Sequence, residues 1–437
     1  MSDTGKKWLW TGLYIAAPLL LIFAIWMGNP RRFSSVSAIL PLALGAAAYA
    51  MMCAQVVMAS RLPALEHAFG LDRILRFHGM AAMAAIVLAA GHKVLIHGGF
   101  RFRPAHWGDL SLLLYVVLGI LAMVFLTGLL ARHGGALRKT LYRFRFTRYD
   151  RELLLHHGMV LALLFMFLHV ATKPFMKNAF TGTLLFLYIA FALGCYGWHL
   201  FFRKKAAFTV EKVLPEGDMT TIVMKGEKPF AFRPGQFGFL RLDDPAVSEE
   251  WHPFSFSSSP KEETLSMTIK SAGDWTDKVK QVEAGSAAFI DGPYGRFSPL
   301  FYGEEEPLVL IAGGVGITPM MSIVSYYRKA APEKQILLLW CARKREDLIR
   351  KSDWKAWEKD MAHFHLVPIL SRDPSWPGRK GRITEEVLKE ALGESHIDKD
   401  RARYYFCGPV PLEKTVLSIL QSLAVPKDRL VREKFSL

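Results

Sequence analysis

Histidine is the residue type whose placement first suggests chemistry in this chain. His78 and His92 lie in one long apolar segment, and His156, His157 and His169 lie in another. Ionisable side chains at membrane depth are costly, and they usually have a function. Imidazole is also the commonest protein ligand for metals. These two segments are therefore the first candidates for a buried metal or cofactor site.

The spacing of the histidines separates them into two depths. His78 and His92 are 14 residues apart, close to four helical turns, so they share one helix face at a separation of about 21 Å. His169 follows His156 by 13 residues and His157 by 12, and neither distance is a whole number of turns. A bulge or kink would align either residue, so the spacing alone does not choose between His156 and His157.

Two pairs of axial ligands follow if the two segments cross a membrane in the same direction. His78 would then pair with His156 or His157 near one face, and His92 with His169 near the other. Each pair suits a b-type haem that is held by axial ligation and packing. The alternative is four histidines that only form hydrogen bonds between helices. Two matched pairs at two matched depths favour haem.

Six apolar segments of about the length that spans a bilayer make up the first half of the chain. They are residues 8–28, 36–58, 77–97, 108–130, 152–171 and 180–202. The sequence predicts an all-α, six-helix membrane domain over residues 1–205. In the short loops, 15 lysines and arginines lie on the side of the termini and 6 on the other, which places both termini in the cytoplasm.

Much of the net charge of +16 lies in loops that would face anionic lipid headgroups, so it needs no nucleic acid to explain it. Membrane lipid is thus the expected partner, and neither nucleic acid nor a regulatory subunit is indicated. The four cysteines are too scattered for a disulfide framework, a zinc site or an iron–sulfur cluster.

Residues 206–302 alternate short strand-like runs with turns, which predicts an antiparallel β-barrel. An aromatic residue beside a hydroxyl residue on a strand would line a flavin ring and bond its N5 edge. Small residues, a hydroxyl and a lysine suit a pyrophosphate. The candidate FAD-binding residues in this region are His252, Pro253, Phe254, Ser255, Lys270, Gly273, Trp275 and Thr276.

Residues 303–437 are predicted to form an α/β Rossmann-like domain. An apolar strand leads into a glycine-rich turn with Gly313, Gly314 and Gly316, and then into a helix that begins near Thr318 and Pro319. The glycines allow the backbone to approach a pyrophosphate, and the helix N-terminus favours its charge. The order of the glycines is not the usual dinucleotide fingerprint, so the motif alone is moderate evidence.

Two later strand ends complete the predicted nucleotide site. Arg343 and Arg372 follow strands, where the 2′-phosphate of NADPH would lie; surface arginine is the alternative, and it would leave NADH as the donor. Cys407, Gly408 and Pro409 form another strand-to-turn junction, which would place Cys407 beside the nicotinamide.

Together these motifs resemble the ferric reductase and NADPH oxidase superfamily over residues 60–437. The segment from Leu71 to His78 resembles the entry to its third membrane helix, and the motifs of the second half occur in the family's order. The resemblance implies FAD, two haems and a ferredoxin–NADP reductase-like module. It also implies that His156 is the ligand of the doublet and that Phe435 stacks on the flavin as a catalytic gate for nicotinamide.

The expected function is electron transfer from cytosolic NADPH, through FAD and both haems, to an acceptor on the opposite face. A prokaryotic oxidase that makes superoxide from O₂ is favoured; a ferric-chelate reductase and a quinone or partner-protein reductase are the alternatives. The sequence contains no EF-hand loop and no peroxidase-like domain. Ile96 occupies a position where family oxidases can carry a second outer histidine, with His97 next to it.

Overall fold

The computed structural model describes residues 3–28, 35–99, 102–125, 149–202, 205–303 and 305–433. The chain divides into two compact units, with the boundary between residues 203 and 204. Each unit has its own hydrophobic core.

The described part of the first unit is helical. Its helices are α1 (Asp3–Gly28), α2 (Val36–Ala59), α3 (Pro63–Phe69), α4 (Leu71–His97), α5 (Trp107–Phe125), α6 (Tyr149–Ala171) and α7 (Ala179–Gly197). A 3-10 turn, Pro174–Lys177, precedes α7, and a π-helical turn, Trp198–Phe202, follows it. Gly98, in the left-handed conformation at φ 67°, ends α4.

Four of these helices are long and apolar enough to cross a membrane. They are Gly5–Gly28, Ser37–Ala59, Leu71–His97 and Ala179–Phe202. The apolar parts of α5 and α6, Trp107–Met123 and Leu155–Ala171, are shorter. Both of these helices border residues 126–148, which lie outside the described residues together with most of the basic segment 132–151. The six-span arrangement therefore stays a prediction.

Hydrogen bonds and small residues hold these helices together. The Tyr49 hydroxyl donates to the Leu185 carbonyl at 2.8 Å, which links α2 to α7, and the Ser111 hydroxyl donates to the Ala162 carbonyl at 2.8 Å, which links α5 to α6. Helices in lipid associate through such polar contacts and close packing. The outer surface carries large apolar side chains, among them Val87, Phe186 and Phe191. That surface suits lipid.

The second unit begins with a six-stranded antiparallel sheet. Its strands are β1 (Ala206–Glu216), β2 (Met219–Gly226), β3 (Phe237–Asp243), β4 (His252–Ser255), β5 (Leu265–Lys270) and β6 (Ala287–Tyr294). Their order is β4-β3-β6-β1-β2-β5. A single bridge from Phe256 to Met267 links the two edges of the sheet, the contact that a closed barrel needs. The short helix α8 (Asp274–Lys278) follows β5.

A parallel six-stranded sheet completes the unit, in the order β10-β9-β8-β7-β11-β12. Its strands are β7 (Leu308–Gly313), β8 (Ile336–Ala342), β9 (Phe364–Leu370), β10 (Arg379–Lys380), β11 (Arg403–Cys407) and β12 (Leu430–Glu433). The helices are α9 (Ile317–Ala330), α10 (Lys351–Asp360), α11 (Glu385–Glu394) and α12 (Val410–Ser422). All six residues of β7 are buried, as expected for a strand covered on both faces.

Candidate functional site

The first histidine pair joins α4 to α6. The rings of His78 and His156 lie 6.1 Å apart between centroids and nearly perpendicular, at 69°. His157 faces the other way, with its ring 6.1 Å from that of Tyr196 on α7. Among the described residues, the buried Nδ1 atoms of His78 and His156 have no hydrogen-bond partner. The structure therefore brings His156, rather than His157, to His78.

The second pair, His92 on α4 and His169 on α6, lines a cavity of about 510 Å³. His92 Nδ1 donates to the carbonyl oxygen of Pro41 on α2 at 2.6 Å. An imidazole that donates from Nδ1 keeps Nε2 unprotonated, which is the form that binds a metal. The backbone of α2 thus fixes both the orientation and the tautomer of His92.

Two glycines make room for the outer imidazoles. A Cβ atom at Gly45 on α2 would lie 2.6 Å from His92 Nδ1, and one at Gly108 on α5 would lie 2.8 Å from His169 Nδ1. Real side-chain atoms do not approach this closely, so any residue larger than glycine would displace the ring. Sequence reasoning missed both glycines and Pro41, because a small residue in an apolar helix is an ordinary packing feature.

The two pairs fit haem better than a bare metal ion. No group of three or more metal-ligating side chains occurs among the described residues, and two imidazoles alone would leave most of an ion's coordination positions open. A porphyrin supplies the other four. The walls of the cavity at His92 and His169 are mostly apolar and include Leu42, Ala89 and Met166. Apolar walls and paired imidazoles are what a b-type haem requires.

A cluster of charged side chains lies beside the outer pair, and we call it the outer polar cluster: Lys93, His97, Arg103, His106 and Asp109. The Lys93 ammonium is 3.2 Å from Asp109, and both side chains are nearly buried, at 10% and 3% exposure. The Arg103 backbone N–H donates to the same carboxylate at 2.9 Å, and its guanidinium lies 2.8 Å from His97 Nε2. The excess of cations makes this end of the cavity positive.

The outer polar cluster reaches the histidine pair through His106, whose ring centroid is 4.9 Å from that of His169. Lys173 lines the same cavity. Three other cations from the loops predicted to face the outside, Arg31, Arg32 and Arg101, lie outside the described residues.

The predicted flavin residues gather at the edge of the antiparallel sheet. The ring of Trp275 on α8 lies 4.4 Å from that of His252 and stacks on Phe254 at 5.8 Å and 21°. Pro253 lies between the last two on β4. The buried hydroxyl of Ser255 has no hydrogen-bond partner among the described residues. An unpaired donor beside aromatic rings fits a flavin, whose N5 accepts a hydrogen bond.

Two other predicted flavin residues, Lys270 and Thr276, form polar contacts within the protein. The Lys270 ammonium pairs with Asp218 at 2.8 Å. The Thr276 hydroxyl donates to the Gly273 carbonyl at 3.0 Å and accepts from the Ala272 N–H at 2.8 Å. These contacts hold the loop between β5 and α8 in place.

The glycine-rich turn and the Cys407 turn meet at the carboxyl ends of β7 and β11, which are neighbours. A Cβ atom at Gly316 would lie 2.0 Å from the Cys407 carbonyl oxygen, and one at Gly313 would lie 2.8 Å from Pro409 Cδ. A Cβ atom at Gly408 would likewise lie 3.1 Å from the backbone of Gly313. Strand order reverses here, at the position where open α/β sheets bind their ligands.

A local hydrogen bond and a buried proline lie in the first turn of the helix that follows the glycine turn. The Thr318 hydroxyl donates to the Val315 carbonyl at 3.0 Å, and Pro319 lies buried in the first turn of α9. Gly314 has a positive φ of 56°, which favours glycine.

Arg343 and Arg372 are neighbours, and both are exposed: the Arg372 N–H donates to the Arg343 carbonyl at 2.8 Å. Their two loops are joined by an ion pair between Arg345 and Asp373, which sequence reasoning missed. The Arg345 guanidinium bonds Asp373 at 2.7 and 3.2 Å, and it lowers the pKa of that carboxyl to about 2. Two arginines held side by side form a surface suited to a phosphate.

The end of β12 lies against the end of β11, where Glu433 pairs in register with Cys407. Burial, and secondarily the nearby Glu433 carboxylate, raises the pKa of the Cys407 thiol, which therefore stays neutral. Phe435 lies outside the described residues.

Comparison with known proteins identifies the second unit. Residues 204–298 match the family described as "FAD-binding domain", and residues 310–418 match "Oxidoreductase NAD-binding domain". Dual oxidase 2 from Rattus norvegicus is 24% identical over 444 residues, covering 84% of this chain and 28% of the relative. Over most of its length the chain is therefore similar to a dual oxidase, and its second unit contains an FAD-binding and an NAD-binding domain.

Two further comparisons cover different shares of the chain. The gamma subunit of sulfhydrogenase 1 from Pyrococcus furiosus is 32% identical over 196 residues, which are 44% of this chain and 64% of that subunit. The flavohemoglobin of Malassezia yamatoensis, solved with bound FAD and heme, is 17% identical and covers 95% of this chain and 98% of its own, with a TM-score of 0.50. At that identity the likeness shows the fold alone.

The chain spans 28% of the length of its dual oxidase relative and just under two thirds of the sulfhydrogenase subunit. Its second unit is an NAD(P)H-dependent flavoprotein oxidoreductase module. Its described helices include four candidate membrane spans, as expected for a membrane protein.

Replacing Gly316 with alanine is expected to reduce the rate of flavin reduction by NADPH about 10²-fold, the order of loss that a displacement of about 1 Å can cause. The added Cβ would collide with the Cys407 carbonyl and push the two nucleotide turns apart. Stopped-flow flavin reduction measures this rate. Gly393→Ala, on α11 with no atom near the added Cβ, is the matched control and should react as wild type. A wild-type rate in Gly316→Ala would contradict the assignment of this turn.

Proposed function

We propose that the protein transfers electrons across a membrane, from cytosolic NAD(P)H through FAD and two b-type haems to an acceptor on the opposite face. The observation that carries the proposal is the repeated pairing of histidines from the same two helices. His78 meets His156, and His92 and His169 share a cavity. The FAD- and NAD-binding module in the same chain supplies a source of electrons.

FAD accepts hydride and releases electrons one at a time, and bis-histidine haems pass single electrons without binding the acceptor at iron. The protein's part is to bind and orient. The glycine turn and the Cys407 turn would receive the pyrophosphate and nicotinamide of the nucleotide. The neighbouring Arg343 and Arg372 favour NADPH over NADH, because together they offer charge to a 2′-phosphate.

On the flavin side, the Ser255 hydroxyl would donate to the flavin N5, and the ring cluster of His252, Phe254 and Trp275 would form one wall of the site. Lys270 is held by Asp218, close to where the pyrophosphate would lie. Cys407 is neutral, so it would present an uncharged side chain to the nicotinamide. Phe435 would cover the flavin until the nucleotide displaces it.

The four imidazoles hold the two haems in this proposal. His78 and His156 would bind the inner one, and His92 and His169 the outer one. With the lysine- and arginine-rich side of the predicted spans in the cytoplasm, both chain termini would lie there too. The outer pair would then lie near the opposite face.

O₂ is the acceptor that we favour, with superoxide as the product. A forming superoxide anion would be stabilised by the positive end of the outer cavity, where Lys173 and the outer polar cluster lie, because opposite charges attract strongly in a low-dielectric site. The His106 ring lies 4.9 Å from that of His169, so His106 would be one of the groups that meet the acceptor. The same charge would also attract an anionic ferric chelate, so the acceptor needs a direct test.

The test compares acceptors in one preparation of purified protein supplied with haem, FAD and NADPH. In air, we expect cytochrome c reduction that superoxide dismutase abolishes. Under argon, a ferric chelate should be reduced slowly. If air yields no superoxide and the chelate restores fast turnover, the oxidase assignment is wrong and the ferric reductase alternative replaces it. Turnover with a quinone alone would point to the third alternative.

A further inference from the structure

Helix α2 supports the outer histidine pair without supplying a ligand. The carbonyl of Pro41 accepts a hydrogen bond from His92 Nδ1, and Gly45, one turn later, makes room for the same ring. Ligand histidines in metalloproteins almost always donate their second ring nitrogen to such a partner, and this partner tunes the metal. His92 therefore has its hydrogen-bond partner on α2. The corresponding ring nitrogen of His78, Nδ1, has no such partner among the described residues.

A residue of α2, Gln55, occupies the position beside His78 that Pro41 occupies beside His92. His78 precedes His92 by 14 residues on α4, and Gln55 follows Pro41 by 14 residues on α2. Because 14 residues are close to four turns, Gln55 lies on the same face of α2 as Pro41, about 21 Å along the axis. The backbone carbonyl of Gln55 lies beside the His78 ring, but the buried Nδ1 of His78 has no hydrogen-bond partner among the described residues. The contact between α2 and α4 is thus repeated at the inner level.

Gln55 is also an unusual buried residue. It is only 8% exposed, and neither its Oε1 nor its Nε2 has a hydrogen-bond partner among the described residues. The buried Nδ1 of His78 is unpartnered in the same way. Burying a carboxamide without partners is costly, so such groups in native proteins generally serve a partner or ligand. The unpaired donor is His78 Nδ1 on α4, and the unpaired acceptor is Gln55 Oε1 on the adjacent helix α2.

We propose that Gln55 is a positioning residue for the inner haem, and that its Oε1 accepts the Nδ1–H of His78 as the Pro41 carbonyl does for His92. This inference rests on the proposed function, because it requires His78 to be an axial ligand. A hydrogen bond at Nδ1 makes the imidazole a stronger base, and a stronger base stabilises ferric over ferrous iron. Gln55 therefore lowers the reduction potential of the inner haem.

The test uses Gln55→Met, which removes the polar atoms at similar side-chain size, and Gln55→Asn, which keeps a shorter carboxamide. The readouts are a redox titration of the haem absorbance, the EPR g values of the ferric protein and the haem content per chain. We expect Gln55→Met to raise the midpoint potential of one haem, shift one set of g values, and weaken retention of that haem by about 10- to 100-fold. Gln55→Asn should shift the same haem by a smaller amount.

Cys53→Ala is the matched control, because Cys53 is a buried residue two positions earlier on another face of α2. It should leave both potentials unchanged. Wild-type potentials and g values in Gln55→Met would overturn the inference, and so would equal shifts in Gln55→Met and Cys53→Ala. A fall in potential would show that the carboxamide acts as a donor to the cofactor, which overturns the acceptor role. Wild-type protein without two haems would instead overturn the proposed function, and the inference with it.

Discussion

Replacing His169 with leucine should leave one haem per chain instead of two and abolish reduction of the outer acceptor. His169 and His92 are the imidazoles at the outer cavity, so the outer haem would lose an axial ligand while the inner pair keeps both. Flavin reduction by NADPH should proceed at the wild-type rate, because the nucleotide module is a separate compact unit. A pyridine haemochrome assay and stopped-flow flavin absorbance measure the two effects.

His157→Leu is the matched control for this experiment. His157 lies in the same helix, but its ring faces Tyr196 rather than another histidine. It should retain two haems and full acceptor reduction. If a double variant of His92 and His169 still binds two haems, these residues are not the outer ligands.

Replacing Asp109 with leucine should destabilise the helical unit by about 3–5 kcal/mol, the cost of leaving one charge of a buried ion pair without its partner. The stranded charge would be Lys93, whose side chain is only 10% exposed. Asp109 also accepts from the Arg103 backbone, so the loop before α5 would lose its anchor. Thermal unfolding in detergent, followed by helical circular dichroism, measures the loss.

The double variant Lys93→Met, Asp109→Leu separates charge from packing. With both charges removed, most of the lost stability should return, since a buried ion pair is often replaced by apolar residues at little cost. If Asp109→Leu alone unfolds at the wild-type temperature, Lys93 is not held by this carboxylate. A double variant as unstable as the single one would assign the loss to the Arg103 contact.

The sequence was most informative where backbone geometry demands particular residues. The glycines at 313 and 316 and the turn at Cys407 were predicted to form one nucleotide site, and the structure places them in direct contact. A strand followed by glycines and a helix admits few other folds, which is why this region could be interpreted locally. Family matches to the FAD- and NAD-binding domains confirm the cofactor class of the second unit.

Sequence reasoning was weakest where a residue acts through a distant neighbour. Gly45, Gly108 and Pro41 contact the outer histidines only after the helices have packed, and nothing in their local sequence distinguishes them from ordinary helix residues. The pairing of Lys93 with Asp109 joins two helices in the same way. Such contacts depend on helix order and rotation, which hydrophobic periodicity does not specify.

The doublet of His156 and His157 illustrates the same limit. Spacing alone left both residues open, because neither lies a whole number of turns from His169. The structure distinguishes them by their neighbours, which are His78 for one and Tyr196 for the other. The assignment of His156 as a ligand remains a prediction that haem counting in each single variant can test.

The central claim is that electrons from NADPH reach two haems in one chain, and anaerobic reduction of the purified protein tests it most directly. NADPH is added under argon, and the haem absorbance is followed together with that of the flavin. We expect the flavin to be reduced first, followed by two equivalents of low-spin b-type haem per chain. Reduced flavin beside haem that stays oxidised, or fewer than two haems per chain in fully loaded protein, would contradict the account.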